Sequence, residues 1–177
     1  MREEIIMAGS GGQGIMFAGT LLAHGAMEEG LNVTYFPSYG AEMRGGTANC
    51  TVIISDENIG SPVVTNPSVL LAMNEASLER FASKVKKGGL IIVNSSLSKK
   101  EIAIDGVQVL KIPATDLAEK LGDSRVANMV ILGAYINRRK GVSLERTMES
   151  LGKVLGEGKD KLLKLNREAL RKGEEFR

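Results

Sequence analysis

The sequence predicts an α/β fold, a doubly wound and mostly parallel sheet followed by a helical C-terminal segment. Three observations carry this. Short apolar runs of strand length alternate with stretches of helical period. A glycine-rich turn joins the first strand to the first helix, and beyond residue 113 the apolar pattern is helical throughout. With 177 residues, 43% of them apolar and 25% charged, the chain has the composition of an ordinary globular protein and reads as a single domain, 1–177.

Glu4-Ile5-Ile6-Met7-Ala8 is a short apolar run ending in Gly-Ser-Gly-Gly, the pattern of a buried strand. Gln13 to Glu29 has helical character, with Ile15, Phe17, Ala18, Leu21, Leu22 and Ala26 as its apolar members, and Gly30 stops it. Val33-Thr34-Tyr35-Phe36 is a second strand, closed by Pro37. The first forty residues therefore read as a parallel strand–helix–strand unit. Tyr39 to Gly46 is a loop and Ala48 to Ser55 a strand. Val69–Met73 and Leu90–Val93 are buried strands on either side of a helix of about ten residues containing Leu78, Phe81 and Val85. Val107–Ile112 is the last strand, ended by Pro113. Four helices follow, Thr115–Leu121, Ala127–Arg139, Ser143–Leu155 and Lys159–Lys172. No internal repeat or interdomain linker is visible. Gly156-Glu157-Gly158 is a hinge that would free only the last helix, 159–172, the one segment open to a peripheral position.

Composition removes several classes of chemistry. One cysteine, Cys50, excludes an intrachain disulfide and any four-thiolate zinc or iron–sulfur site held by this chain alone. One histidine, His24, excludes a multi-histidine metal site and leaves loop serines such as Ser10 and Ser38 without a nucleophile–base–acid arrangement. Cys50 alternates with Val52 and Ile54, as a small packed hydrophobe does. The N-terminus carries acids where a signal peptide wants basic residues, and no run approaches the ~18 apolar residues of a membrane span. A cytoplasmic protein without a membrane partner is expected. The net charge of +2 conceals an asymmetry. Residues 1–137 hold 11 Lys/Arg against 14 Asp/Glu, and residues 138–177 hold 12 against 7. The basic end is mixed in sign and helix-spaced, the pattern of solvated helix faces. With aromatics at 4%, stacking platforms for nucleic acid are missing.

Gly9, Gly11 and Gly14 fit G-x-G-x-x-G after a strand and into a helix, with Gly12 and Gln13 between them. Glycines let backbone N–H groups approach a ligand, and the helix start adds partial positive charge, so the loop suits an anion. A dinucleotide site also needs an acid about 20 residues on, at the end of the second strand, to hold the ribose. Phe36, Pro37 and Ser38 stand there instead, no arginine replaces the acid for NADP, and Ile15 stands where a P-loop has lysine. Three readings stay open: a tight turn that lets another chain pack closely, a phosphate-bearing ligand shared with a partner, and a private dinucleotide. Gln13, at the helix start, carries an amide able to donate and accept across an interface.

The second loop, Ser38-Tyr39-Gly40-Ala41-Glu42-Met43-Arg44-Gly45-Gly46, is expected beside the first because loops after parallel strands emerge on one edge. Glu42 and Arg44 either pair with each other, worth only ~0–1 kcal/mol if exposed, or present Arg44 as a fork-shaped anion clamp on a glycine base.

These two loops carry a resemblance. Ile6-Met7-Ala8-Gly9-Ser10-Gly11-Gly12-Gln13-Gly14, followed by Ala18-Gly19, is similar to the start of the gamma subunits of 2-oxoacid:ferredoxin oxidoreductases of the 2-oxoglutarate, ketoisovalerate and pyruvate types. Ser38-Tyr39-Gly40-x-Glu42-x-Arg44-Gly45-Gly46, running into Val52-Ile53-Ile54-Ser55-Asp56, resembles their second signature, and Pro67-x-Val69-Leu70-Leu71-Ala72-Met73-Asn74-x-x-Ser77 is similar as well. The resemblance implies a Rossmann-like domain without a private dinucleotide and without a catalytic residue of its own. It implies a complex that oxidatively decarboxylates a 2-oxoacid, joins the acyl group to coenzyme A and reduces ferredoxin. Thiamine diphosphate with magnesium and the iron–sulfur clusters would then belong to alpha, beta and delta-type partner subunits. By the same implication Gly9, Gly11, Gly12, Gln13, Gly14, Tyr39, Glu42, Arg44, Gly45 and Gly46 lie at a subunit interface or near coenzyme A. The Gly45-Gly46 ending is more similar to the 2-oxoglutarate type than to the pyruvate type, with branched-chain 2-oxoacids next and indolepyruvate enzymes sharing a similar domain. Two other classes stay open, a stand-alone nucleotide-dependent oxidoreductase and a non-enzymatic scaffold or binding domain.

Overall fold

The apolar runs become strands and the periodic stretches become helices. In chain order they are β1 (Arg2–Ser10), α1 (Ile15–Glu28), β2 (Asn32–Tyr39), β3 (Thr47–Ser55), β4 (Val69–Ala72), α2 (Glu75–Phe81), β5 (Leu90–Asn94), β6 (Gln108–Ile112), α3 (Ala114–Leu121), α4 (Ala127–Arg139), α5 (Leu144–Leu155) and α6 (Asp160–Glu174). Single 3-10 turns lie at Ala82–Lys84 and Ser124–Val126. The computed structural model describes residues 1–39 and 46–176. The strands form one sheet in the order β2-β3-β1-β4-β5-β6. β1, β4, β5 and β6 are parallel neighbours, and β3 runs antiparallel to both β1 and β2. The α/β class, the mostly parallel sheet and the helical C-terminal segment are those the sequence predicts.

The first strand–helix–strand unit differs from expectation. β2 points the same way as β1 but does not pair with it, because β3 lies between them. The residues explain the order. β3 carries Cys50, Val52, Ile53 and Ile54, all essentially inaccessible, whereas Phe36, Pro37, Ser38 and Tyr39 of β2 are exposed. A strand holding Pro37 lacks one ladder donor and fits at a sheet edge. β2 does not stop at Pro37 but runs on to Tyr39, which pairs in register with Ala48.

Each face of the sheet has its own core. On one face α1, α3, α4, α5 and α6 cover Ile5, Met7, Val52, Leu71 and Ile92. On the other, α2 and its 3-10 extension supply Leu78, Phe81, Ala82 and Val85 against Ile6, Ala8, Leu70 and Ile91. The helix expected around Leu78 is thus seven residues of α-helix tightened into a 3-10 turn.

The last helix, for which a peripheral position was open, is packed on α4. Gly133 and Gly173 form the crossing: a Cβ on Gly133 would run into Leu170 O, and one on Gly173 into Val130 O. Ala169 and Leu170 are fully buried there. At the opposite end of the sheet from the glycine loop, Glu3 on β1 binds the α4 residues Arg139 (Nη2, 2.7 Å) and Tyr135 (Oη, 3.3 Å). Burial, together with the neighbouring Glu3 carboxylate, pushes the Tyr135 phenol well above its usual range, so it donates as a neutral hydroxyl. Removing Arg139 leaves the buried Glu3 carboxylate without its cation, which destabilises the fold. Among the described residues no helix is long and apolar enough to cross a membrane.

Candidate functional site

β1 delivers the glycine loop to the crest formed by the carboxyl ends of the parallel strands, where ligands of open α/β sheets bind. The turn is closed by Gln13 N donating to Ser10 O at 3.1 Å. Gly14 starts α1 from the left-handed region, φ 69°, a conformation that favours glycine. A Cβ there would also strike Asn128 Nδ2, which donates to Gly14 O at 2.9 Å from the start of α4. Gly9 is equally confined, since an added Cβ would lie 2.6 Å from Gln13 Oε1 and 2.8 Å from Ile15 Cδ1. Gly12 is different: it is exposed and faces open space. Close internal packing therefore fixes Gly9 and Gly14, and Gly12 faces outward.

Gln13 is turned inward by its carbonyl. Its Oε1 accepts from Ser10 N at 2.7 Å and from Asn74 Nδ2 at 3.1 Å, leaving only the amide nitrogen to offer a neighbour. Asn74 is the residue that the loop motifs do not reveal. Its Oδ1 caps α2 by accepting from Ser77 N at 2.9 Å, while its Nδ2 holds Ser10 Oγ at 2.9 Å. The signal for the cap is an asparagine placed between a buried strand and the first helical residues, one of the preferred N-cap types. Asn128 had no comparable signal.

The second loop meets the first, as expected. Gly11 N donates to Gly46 O at 2.9 Å, and Tyr39 and Gly46 both stand at the rim of the glycine loop. Gly40, Ala41, Glu42, Met43, Arg44 and Gly45 lie outside the described residues. The two loops enclose an open cavity of about 290 Å³, walled by Ser10, Gly12, Met16, Phe17, Tyr39 and Thr47. That is the low end for a small-molecule site and holds part of a large ligand. At its inner wall the first amides of α1 have no intrahelical acceptor, no side chain caps them and no acid stands in the first turn. Tyr39 is 60% exposed. The cavity therefore offers the free amides and partial positive charge of the α1 start and an exposed aromatic ring.

The crest offers little else. The strand beside β1 on this side is β3, which begins at the crest, so among the described residues no strand end carries a ribose-binding acid next to the loop. Cys50 is fully buried, and loss of solvation pushes its thiol up to about 12, so it stays protonated. His24 is half-buried in α1. Among the described residues no three His, Cys, Asp or Glu side chains converge as a metal site.

Residues 4–176 match the family model described as pyruvate ferredoxin/flavodoxin oxidoreductase. The chain belongs to that family. A curated relative, the ketoisovalerate oxidoreductase subunit VorA of Methanothermobacter thermautotrophicus, is 39% identical over 174 residues, 98% of this chain and 36% of the relative. The chain thus spans about a third of the length of that relative. Among solved structures, the gamma subunit of a keto/oxoacid ferredoxin oxidoreductase from Geobacter sulfurreducens is similar with a TM-score of 0.82 at 30% identity, covering 97% of this chain and 95% of that one. A 2-oxoglutarate:ferredoxin oxidoreductase from Magnetococcus marinus, solved with 2-oxoglutarate, coenzyme A and succinyl-CoA bound, is similar with a TM-score of 0.88 at 30% identity, covering 98% of this chain and 30% of that one. The fold is that of a gamma subunit.

Proposed function

We propose that the chain is the gamma component of a 2-oxoacid:ferredoxin oxidoreductase, a domain that performs no chemistry and shapes the site where partner subunits pass an acyl group to coenzyme A. One observation carries this. Gly11 and Gly46 tie the two glycine motifs together at the crest beside an open, largely apolar cavity onto which the start of α1 opens. The described residues around it supply neither a metal-ligand cluster nor a nucleophile with its base. Gly11, Gly12, Gly14, Tyr39, Glu42, Arg44, Gly45 and Gly46 are the surface that meets a partner or coenzyme A. Thiamine diphosphate, magnesium and the clusters that reduce ferredoxin sit on alpha, beta and delta-type partners, which accords with a single buried cysteine here. The substrate is a 2-oxoacid. The Gly45-Gly46 ending and the likeness to a 2-oxoglutarate enzyme favour 2-oxoglutarate, and the likeness to VorA makes the branched-chain acid the competitor to test.

The experiment is subtractive reconstitution with the thiamine-dependent subunits of the same source. The expected result is co-purification and coenzyme A-dependent ferredoxin reduction that is lost when this chain is omitted, with 2-oxoglutarate preferred to 3-methyl-2-oxobutanoate in kcat/KM. Full turnover without the chain, or no association, refutes the proposal.

A further inference from the structure

The two faces of the sheet are covered unequally. On the α2 side the core is built from β1, β4 and β5 with α2 itself, and no residue of β2 or β3 belongs to it. Side chains alternate between the faces of a strand. Ile6 and Ala8 of β1 belong to that core and lie opposite Thr51 and Asn49 of β3, which lie opposite Phe36 and Ser38 of β2. These four residues therefore form a strip on the α2 side. α2 borders it only near the crest, where Arg80 and Phe81 share a wall with Thr47 and Asn49. The chain that follows β3 crosses the strip and brings Pro62 O to 3.5 Å from Thr51 Oγ1. It leaves the strip open, with Val63 72% exposed and Phe36 55% exposed beside Thr51.

Charge is sorted across α2. Its acids turn toward the chain after β5, where Glu75 accepts from Ser98 Oγ and Lys99 N, each at 3.2 Å, and Glu79 pairs with Lys100. Arg80 turns the other way, toward β3. Its guanidinium lies 5.1 Å from the centre of the Phe81 ring and Lys84 Nζ 5.5 Å from it, and neither cation has an ion pair among the described residues. An aromatic ring steadies a cation without neutralising it. Glu4, further along β1 on the same side, is already held by Arg2 and Lys86. The strip is thus uncharged, carries two bare apolar side chains and has a positive border. We propose that Phe36, Thr51 and Val63, bordered by Arg80 and Lys84, form a docking surface for a partner subunit that presents an apolar side chain flanked by carboxylates. Aromatic and arginine side chains anchor protein interfaces, and border charges of one sign select a partner of the other. Thr47 lies both beside the strip and in the wall of the glycine-loop cavity, so a subunit seated on the crest extends onto the strip. The choice of a thiamine-dependent subunit as that partner rests on the function proposed above.

The test is the affinity of the full chain for the thiamine-dependent subunits of the same source, measured at low and high salt. Phe36→Ser and Arg80→Glu should each weaken association roughly tenfold or more, and the effect of Arg80→Glu should shrink as salt rises. Lys161→Glu makes the same change of charge at an exposed position on α6, on the other side of the sheet, and should leave the affinity at the parent value. Unchanged thermal melting shows that each variant is folded. If the parent associates and either Phe36→Ser or Arg80→Glu binds as tightly as it does, the docking surface is refuted and the gamma-subunit reading stands. Equal weakening by Lys161→Glu assigns the effect to net charge and also refutes the surface. If the parent does not associate at all, the gamma-subunit reading falls, and this partner with it. A concentration-dependent dimer of the chain alone that Phe36→Ser abolishes would give the strip to a second copy and overturn the proposal.

Discussion

At Asn74 a single side chain closes α2 with its oxygen and holds the glycine loop with its nitrogen, through Ser77 N on one side and Ser10 Oγ and Gln13 Oε1 on the other. Loss of a helix cap costs typically ~1 kcal/mol, and each further hydrogen bond about as much. Asn74→Ala should therefore lower unfolding stability by roughly 2–3 kcal/mol in urea titrations. Asn74→Asp keeps the capping acceptor and loses both donations, so its loss should fall near half of that and separate the two roles. The cap is passed over in the sequence, although an asparagine directly before a helix is among the preferred N-cap residues. The link from Asn74 to Gln13 was not legible. It exists because β4 pairs with β1 in the register Ala8↔Ala72, which brings together residues 61 apart. The outward role read for Gln13 is halved for the same reason, since a neighbour from a distant strand takes its oxygen.

Elements were legible where a segment's own pattern decides them and illegible where a competing segment does. The helices from Ala127 onward fall within a residue or two of their expected bounds because their signals are local: an apolar run in α4, the Ser143 cap of α5 and the apolar stripes of α5 and α6. The place of β2 is not local. It depends on β3 being the more apolar strand and taking the inner position, a comparison between two segments that a pass along the chain does not make. The crossing of α4 and α6 shows the same contrast in glycines. Gly133 and Gly152 both lie inside helices, and by helix propensity alone alanine would stabilise either by ~0.5–1 kcal/mol. At Gly152 an added Cβ meets open space, so Gly152→Ala should raise the melting temperature. At Gly133 the Cβ meets the Leu170 carbonyl, backbone that cannot swing aside, and overpacking of that kind costs roughly 1–3 kcal/mol. Gly133→Ala should thus lower the melting temperature and raise hydrogen exchange across α6. Two stabilising substitutions would show that the helix pair is loosely docked.

For the molecule as a whole, the division between glycines that serve the fold and glycines that serve a partner can be measured. Gly9 and Gly14 are fixed by contacts inside the chain, so their substitution damages stability first. Gly12 has no atom near its missing side chain, and only its φ of 98° restricts substitution. A valine there strains the backbone and adds bulk to the outward surface, two effects that would be confounded in one variant. Asparagine tolerates positive φ better, so Gly12→Asn adds bulk with less strain. If the crest is a surface of close approach, both variants should fail to assemble with the partner subunits, while Gly12→Asn melts within a few degrees of the parent. If only valine disrupts assembly, the backbone conformation is what matters and nothing approaches Gly12 closely. Normal assembly of both variants would remove the glycine loop from the interface and leave Tyr39 and the second loop to carry it. Gly12 is the position on the glycine loop where outward bulk can be added without touching the core.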